Sequence, residues 1–245
     1  MTEDSGYCSF GLFLIFEIMQ DNPTQVVQER VQLQSELLGR KVKTDFYLPT
    51  NISDPSNMSL LLINDGQDME KLQLSSILDA LYADKSIDPL LCVGIQAGDR
   101  KMEYGTAKVL DYKGRGARSQ AYQDFIFEEL IPFVHKNYHV PEFKEKAFAG
   151  FSLGGLSALD TVWNHPQEFS KVGVFSASLW WRTKDKNNKT YRDDKDRIMQ
   201  QQIRNGDFYP WLRFFFECGA ADEEEDRNNN GIIRRRTKFC RLFIC

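Results

Sequence analysis

Gly150-Phe151-Ser152-Leu153-Gly154 places a serine between two glycines in a G-x-S-x-G pattern, the arrangement in which a hydroxyl can attack a carbonyl carbon. Its flanks have the required order. Lys146-Ala147-Phe148-Ala149 is a short buried-strand pattern and Gly155-Leu156-Ser157-Ala158-Leu159 opens a helix, so the serine falls on a strand-to-helix turn. Such a turn is strained, and neighbours without a Cβ let strand and helix close around it. The N–H of Leu153, at the helix N-terminus, then points where an oxyanion forms beside Ser152 Oγ. A glycine-rich turn without chemistry is the competing reading, and the apolar flanks argue against it.

A serine nucleophile needs a base, an acid to orient the base, and a second oxyanion donor. Asp222 is the expected acid, because Phe214 to Cys218 ends an apolar run and Gly219-Ala220-Ala221 turns into it. Glu223, Glu224, Glu225 and Asp226 beside it leave open a purely solvated acidic loop. The second donor is assigned to the amide of Gln67 in Asn64-Asp65-Gly66-Gln67-Asp68, where Gly66 would let the backbone approach a substrate; an ordinary capped turn is the alternative. The base is harder to place. The chain has three histidines, His135, His139 and His165. The first two precede the nucleophile strand and belong at its amino end, roughly 20 Å from the turn. His165 lies down the helix from Ser152, also roughly 20 Å away, and Asn164-His165-Pro166 reads as a helix end with a surface histidine.

The elements that must position these groups follow from the apolar pattern. Val31 to Gln34, the Leu38-Gly39 turn and Lys41 to Pro49 predict an antiparallel hairpin. Leu60-Leu61-Leu62-Ile63 and Leu90-Leu91-Cys92-Val93-Gly94-Ile95 are uninterrupted apolar runs, as in parallel strands buried on both faces. A helix over about 69–82 joins them, and a second over about 121–138 precedes the nucleophile strand. Val172 to Ser176 and Trp211 to Glu217 are further strands, and the polar stretch from Lys184 to Asn205 reads as a surface excursion. Alternating strands and helices specify a mostly parallel, doubly wound α/β sheet with helices on both faces and an N-terminal antiparallel hairpin. With a G-x-S-x-G turn, this is an α/β-hydrolase fold.

Composition bounds the partners. A formal charge of −4 over 245 residues and an isoelectric point near 5.5 offer no attraction to nucleic acid, which leaves small molecules. The five cysteines have no metal-ligand spacing, and neither metal nor cofactor is expected. The apolar stretch from Phe10 to Met19 is too short to span a membrane. Glu17 and the acidic Thr2-Glu3-Asp4 make it a poor signal peptide, so an extra strand or disordered extension is expected and a cytoplasmic location is the default. Asp226, Asn228 and Asn230 fit the first half of a calcium loop, but Thr237 stands where its closing acidic ligand belongs. The expected division is an extension over 1–25, one domain over 26–233 and an atypical tail over 234–245.

Together, Tyr47-Leu48-Pro49, Asn64-Asp65-Gly66-Gln67, Gly150 to Gly155 and Ser176-Ala177-Ser178-Leu179-Trp180-Trp181 resemble the esterase family of α/β-hydrolases that includes enterochelin esterases, esterase D and feruloyl esterases. The resemblance covers about Val31 to Ile233. It implies cleavage of a small-molecule carboxylic ester through an acyl-enzyme on Ser152, with Asp222 orienting a histidine and the amides of Leu153 and Gln67 as the oxyanion hole. The Ser-x-Ser-x-Trp-Trp stretch looks most like the siderophore-esterase branch, whose tryptophans line the cleft; taken alone, Trp180 and Trp181 read as core or rim aromatics. In that family the histidine follows the acid after one more helix and strand. Here Arg234 to Cys245 has no family character. The expectation is a truncated or frame-shifted end. The alternative is a shorter, catalytically silent binding protein that uses Trp180, Trp181 and Tyr104 to hold an aromatic or catechol-like ligand.

Overall fold

The computed structural model describes residues 26–50, 52 and 54–219. Seven strands form one sheet: β1 (Val26–Ser35), β2 (Arg40–Pro49), β3 (Ser59–Asn64), β4 (Leu90–Ile95), β5 (Lys146–Phe151), β6 (Lys171–Phe175) and β7 (Arg213–Glu217). Their spatial order is β1-β2-β4-β3-β5-β6-β7. β1 pairs with β2, and β2 with β4, in antiparallel fashion; every later pair is parallel. The expected hairpin and mostly parallel sheet are both present.

The apolar runs in β3 and β4 are continuous because both faces of the sheet are covered. Leu60, Leu62, Leu91, Val93 and Ile95 join the larger core. Ile63 and Cys92, pointing the other way, pack with Met69 and Leu78. Leu78 belongs to α1 (Leu74–Ala83), which covers that second face. The helix starts later than expected, because Gly66–Asp68 form a tight 3-10 turn and Gln73 takes a left-handed φ of 54° just before it.

The larger core lies under α2 and α3. α2 runs from Ser119–Asp124 through a π-helical stretch, Phe125–Leu130, into Ile131–Tyr138. Its widened turn has a cause in the sequence: Pro132 has no N–H, and Ile131 N–H reaches back to Ile126 O instead. α3 (Leu153–Asn164) packs on β5 and β6. The stretch expected as a surface excursion is partly core, since α4 (Ile198–Asn205) buries Ile198 and Met199. A bridge between Arg182 and Arg197 draws that segment inward.

Candidate active site

Ser152 stands between β5 and α3 with φ 52° and ψ −115°, a conformation an L-residue adopts only when its surroundings enforce it. Three main-chain bonds do so. Its N–H donates to Phe175 O at 2.9 Å, and its carbonyl accepts from Leu156 N–H at 3.2 Å and Ser178 N–H at 2.9 Å. The turn tolerates no side chain at Gly150, where a Cβ would fall 2.5 Å from Gly154 C and O. Ser152 Oγ lies 3.3 Å from Ser178 Oγ. Leu153 opens α3, so its N–H belongs to the first turn, whose N–H groups have no partner within the helix.

The neighbouring loop follows β3, which the sheet order places beside β5. Gln67 is the middle residue of the Gly66–Asp68 turn, and its side-chain amide donates to Asp65 Oδ1 at 3.1 Å. Gly66 has a packing role of its own. A Cβ there would fall 2.4 Å from Gly94 C in β4, so backbone packing requires a glycine at this position. Asp65 itself takes a left-handed φ of 61° and is 3% exposed. Arg100, in the single helical turn Arg100–Glu103 after β4, forks onto it: Nε to Oδ1 and Nη2 to Oδ2, both at 2.8 Å. The same Nη2 donates to Phe151 O at 3.2 Å, next to Ser152. Hydrogen bonding to Asp65 holds the Arg100 pKa above its ordinary value. Asn64 completes the frame by donating to Gly154 O at 2.8 Å while accepting from Tyr122 OH at 2.7 Å.

The model of the family described as “Putative esterase” matches residues 35–237. The chain belongs to this family. Among curated proteins it is similar to Iron(III) salmochelin esterase of Escherichia coli, 28% identical over 150 residues, 59% of this chain and 34% of that protein. It is also similar to an uncharacterized Bacillus subtilis protein, YjcH, 27% identical over 148 residues, 60% of this chain and 59% of that one. Both matches therefore span less than two thirds of the relative. Among solved structures, enterochelin esterase from Shigella flexneri has a TM-score of 0.62 at 20% identity, covering 85% of this chain and 49% of the other. The BES protein from Bacillus cereus has a TM-score of 0.58 at 20% identity, covering 82% and 78%. These neighbours share the α/β-hydrolase fold.

In this esterase-family chain, two of the residues expected at the cleft are interior. Tyr104 and Trp181 are both 0% exposed. Tyr104 OH accepts the Asp65 N–H at 2.9 Å, and its ring meets Tyr122 edge-on at 5.3 Å. Burial pushes both phenols well above their ordinary pKa, which keeps them neutral. Trp181 packs under the Arg115 guanidinium, 4.8 Å from its ring centroid, and a Cβ at Gly105 would fall 2.8 Å from the indole. Trp180 keeps partial exposure, with Arg115 at 5.5 Å. Tyr104 and Trp181 are thus interior, and of the three only Trp180 reaches solvent.

The histidines sit away from Ser152. His135 Nδ1 is 2.5 Å from Val140 O, and His139 ends α2 with a left-handed φ of 53°, both before β5 begins. His165 closes the far end of α3. It is half-buried rather than on the surface, with its ring 4.3 Å from Phe127, and burial lowers its pKa. Asp222, the partial calcium pattern at Asp226, Asn228 and Asn230, the Phe10 to Met19 stretch and the tail over 234–245 lie outside the described residues. The carboxyl end of β7 lies at the serine's end of the sheet, since Phe151, Phe175 and Glu217 share one row across β5, β6 and β7. Among the described residues no cluster of His, Cys, Asp or Glu could hold a metal ion, and no helix is long and apolar enough to cross a membrane.

Sequence reasoning missed Asp65 as an ion-pair partner, and it missed Arg100 and Ser178. Arg100 did carry a signal: it follows β4 directly, at the carboxyl edge of the sheet where α/β folds bind ligands. Ser178 had only its place in the Ser-x-Ser motif.

Proposed function

We propose that this chain hydrolyses small-molecule carboxylic esters through an acyl-enzyme on Ser152. The observation that carries the reading is the enforced φ 52°, ψ −115° of Ser152 at the strand-to-helix turn. Ser152 Oγ attacks the ester carbon and gives up its proton, the amides of Leu153 and Gln67 receive the oxyanion, and the C–O bond breaks as that proton passes to the departing alkoxide oxygen, releasing the alcohol. Water then attacks the acyl carbon and frees the acid and the serine. Asp222 takes the role of orienting acid. The likeness to a salmochelin esterase favours an aryl-bearing, siderophore-type ester, for which Trp180 offers a partly exposed ring.

One observation favours a second reading, a binding protein that keeps the cleft without turnover: none of His135, His139 and His165 stands near Ser152. Loss of a triad member typically costs on the order of 10⁴-fold while leaving some oxyanion-hole catalysis. Hydrolysis of p-nitrophenyl acetate by the 245-residue chain is therefore expected to be slow. Covalent labelling by a fluorophosphonate, located by peptide mass, separates the two readings. A label on Ser152, abolished in Ser152→Ala, supports the nucleophile; no label, with ligand binding intact, supports the silent protein.

A further inference from the structure

The chain leaves β6 at Phe175 and turns back through Ser176, a non-glycine residue held at φ 45°. Its N–H is bonded to Glu217 O at 2.7 Å. Ala177 then presses on the start of α3, close enough that a Cβ built on Gly155 would fall 3.1 Å from its own. The strained turn and the close approach deliver the next residue, Ser178, under the elbow. Ser178 donates its N–H to Ser152 O at 2.9 Å and brings its hydroxyl 3.3 Å from Ser152 Oγ. It is 3% exposed. A hydroxyl taken out of water needs a partner, and here the partner is the oxygen read as the nucleophile.

We infer that Ser178 is a positioning residue for Ser152, holding it at both its carbonyl and its Oγ. This rests on the reading of Ser152 as the nucleophile. As Ser152 Oγ gives up its proton, the Ser178 O–H donates to a lone pair that is not attacking. That fixes the side-chain rotamer and offsets the negative charge developing on oxygen. Ser178 keeps its own proton throughout. The reverse polarity, with Ser152 donating to Ser178, would hold the proton back. Deleting the Ser178 hydroxyl therefore slows attack in the first arrangement and quickens it in the second.

The test measures the rate at which a fluorophosphonate labels the full chain, in the wild type, Ser178→Ala, Ser178→Cys and Ser152→Ala. One neutral hydrogen bond lost predicts labelling about tenfold slower in Ser178→Ala, with half-saturation by the probe and the thermal midpoint little changed. Ser178→Cys, which keeps a weak donor, is expected between the two. Equal or faster labelling in folded Ser178→Ala overturns the inference. Should that variant not fold, a wild-type rate in Ser178→Cys overturns it. A wild type that takes no label, or a Ser152→Ala that labels as fast as wild type, overturns the reading of Ser152 and this inference with it.

Discussion

Arg100→Ala is expected to destabilise the protein more than Asp65→Asn, although each removes one half of the same fork. Both Arg100 contacts to Asp65 are 2.8 Å long, and the Asp65 side chain is 4% exposed against 38% for Arg100. Truncating the arginine strands a buried carboxylate. Breaking a fully buried pair in this way costs about 3–5 kcal/mol. Water already reaches the Arg100 side and would partly solvate Asp65 after truncation, so about 2 kcal/mol is expected, or about 4–8 °C in midpoint. Asp65→Asn leaves the guanidinium half in water and removes the buried charge, and should cost about 1 kcal/mol. The double variant should cost less than the sum by about 1 kcal/mol. The fork also fixes the turn that carries Gln67, so Arg100→Ala should slow Ser152-dependent labelling by up to about 10²-fold, the scale of one lost oxyanion donor. Urea titrations with unchanged slope, together with labelling rates, measure both effects. An Arg100→Ala cost within 0.5 kcal/mol of zero, or one smaller than that of Asp65→Asn, would refute the stranded-carboxylate argument.

Trp181→Ala should cost about 3–5 kcal/mol in denaturant titration, as for a large core residue. Trp180→Ala should change stability by under about 1 kcal/mol and instead weaken binding of an aryl ester, read as a higher KM or half-saturation. Gly150→Ala should leave little soluble folded protein, because its Cβ would lie 2.5 Å from Gly154 C and O; normal expression and a normal midpoint would show that the elbow relaxes. Burial lowers the folded-state pKa of His165, so the unfolded chain binds its proton more readily. That contribution to stability should be complete above about pH 6.5 and decline as pH falls from there towards the depressed folded-state value. His165→Gln should flatten the dependence in midpoints measured from pH 8 to 5, and it should leave Ser152 labelling unchanged.

The elbow was legible because everything that defines it is local: a buried run, a serine between glycines and a helix start within about twenty residues. The apolar runs of β3 and β4 were legible for a related reason, since a strand covered on both faces must be apolar at every position. Local pattern also explains where reading stopped. A proline within a helical run did not announce the π-helical stretch Phe125–Leu130, and a mostly polar stretch hid the two core residues of α4.

What the sequence determined by itself was a nucleophile candidate on a strand-to-helix turn within an alternating α/β chain. Only the tertiary structure decided what surrounds it. Sheet order sets β3 between β4 and β5, so loops distant along the chain meet at one edge, and Asp65, Arg100 and Phe151 become neighbours. The return of the chain after β6 brings Ser178 to Ser152. Burial, too, is a property of packing rather than residue type, which is why Tyr104 and Trp181, chosen as aromatic cleft residues, lie in the interior while Trp180 retains contact with solvent. Local spacing constrains the backbone within a turn or two. The partners of a buried charge or hydroxyl depend on which strands pair, and no short motif records that.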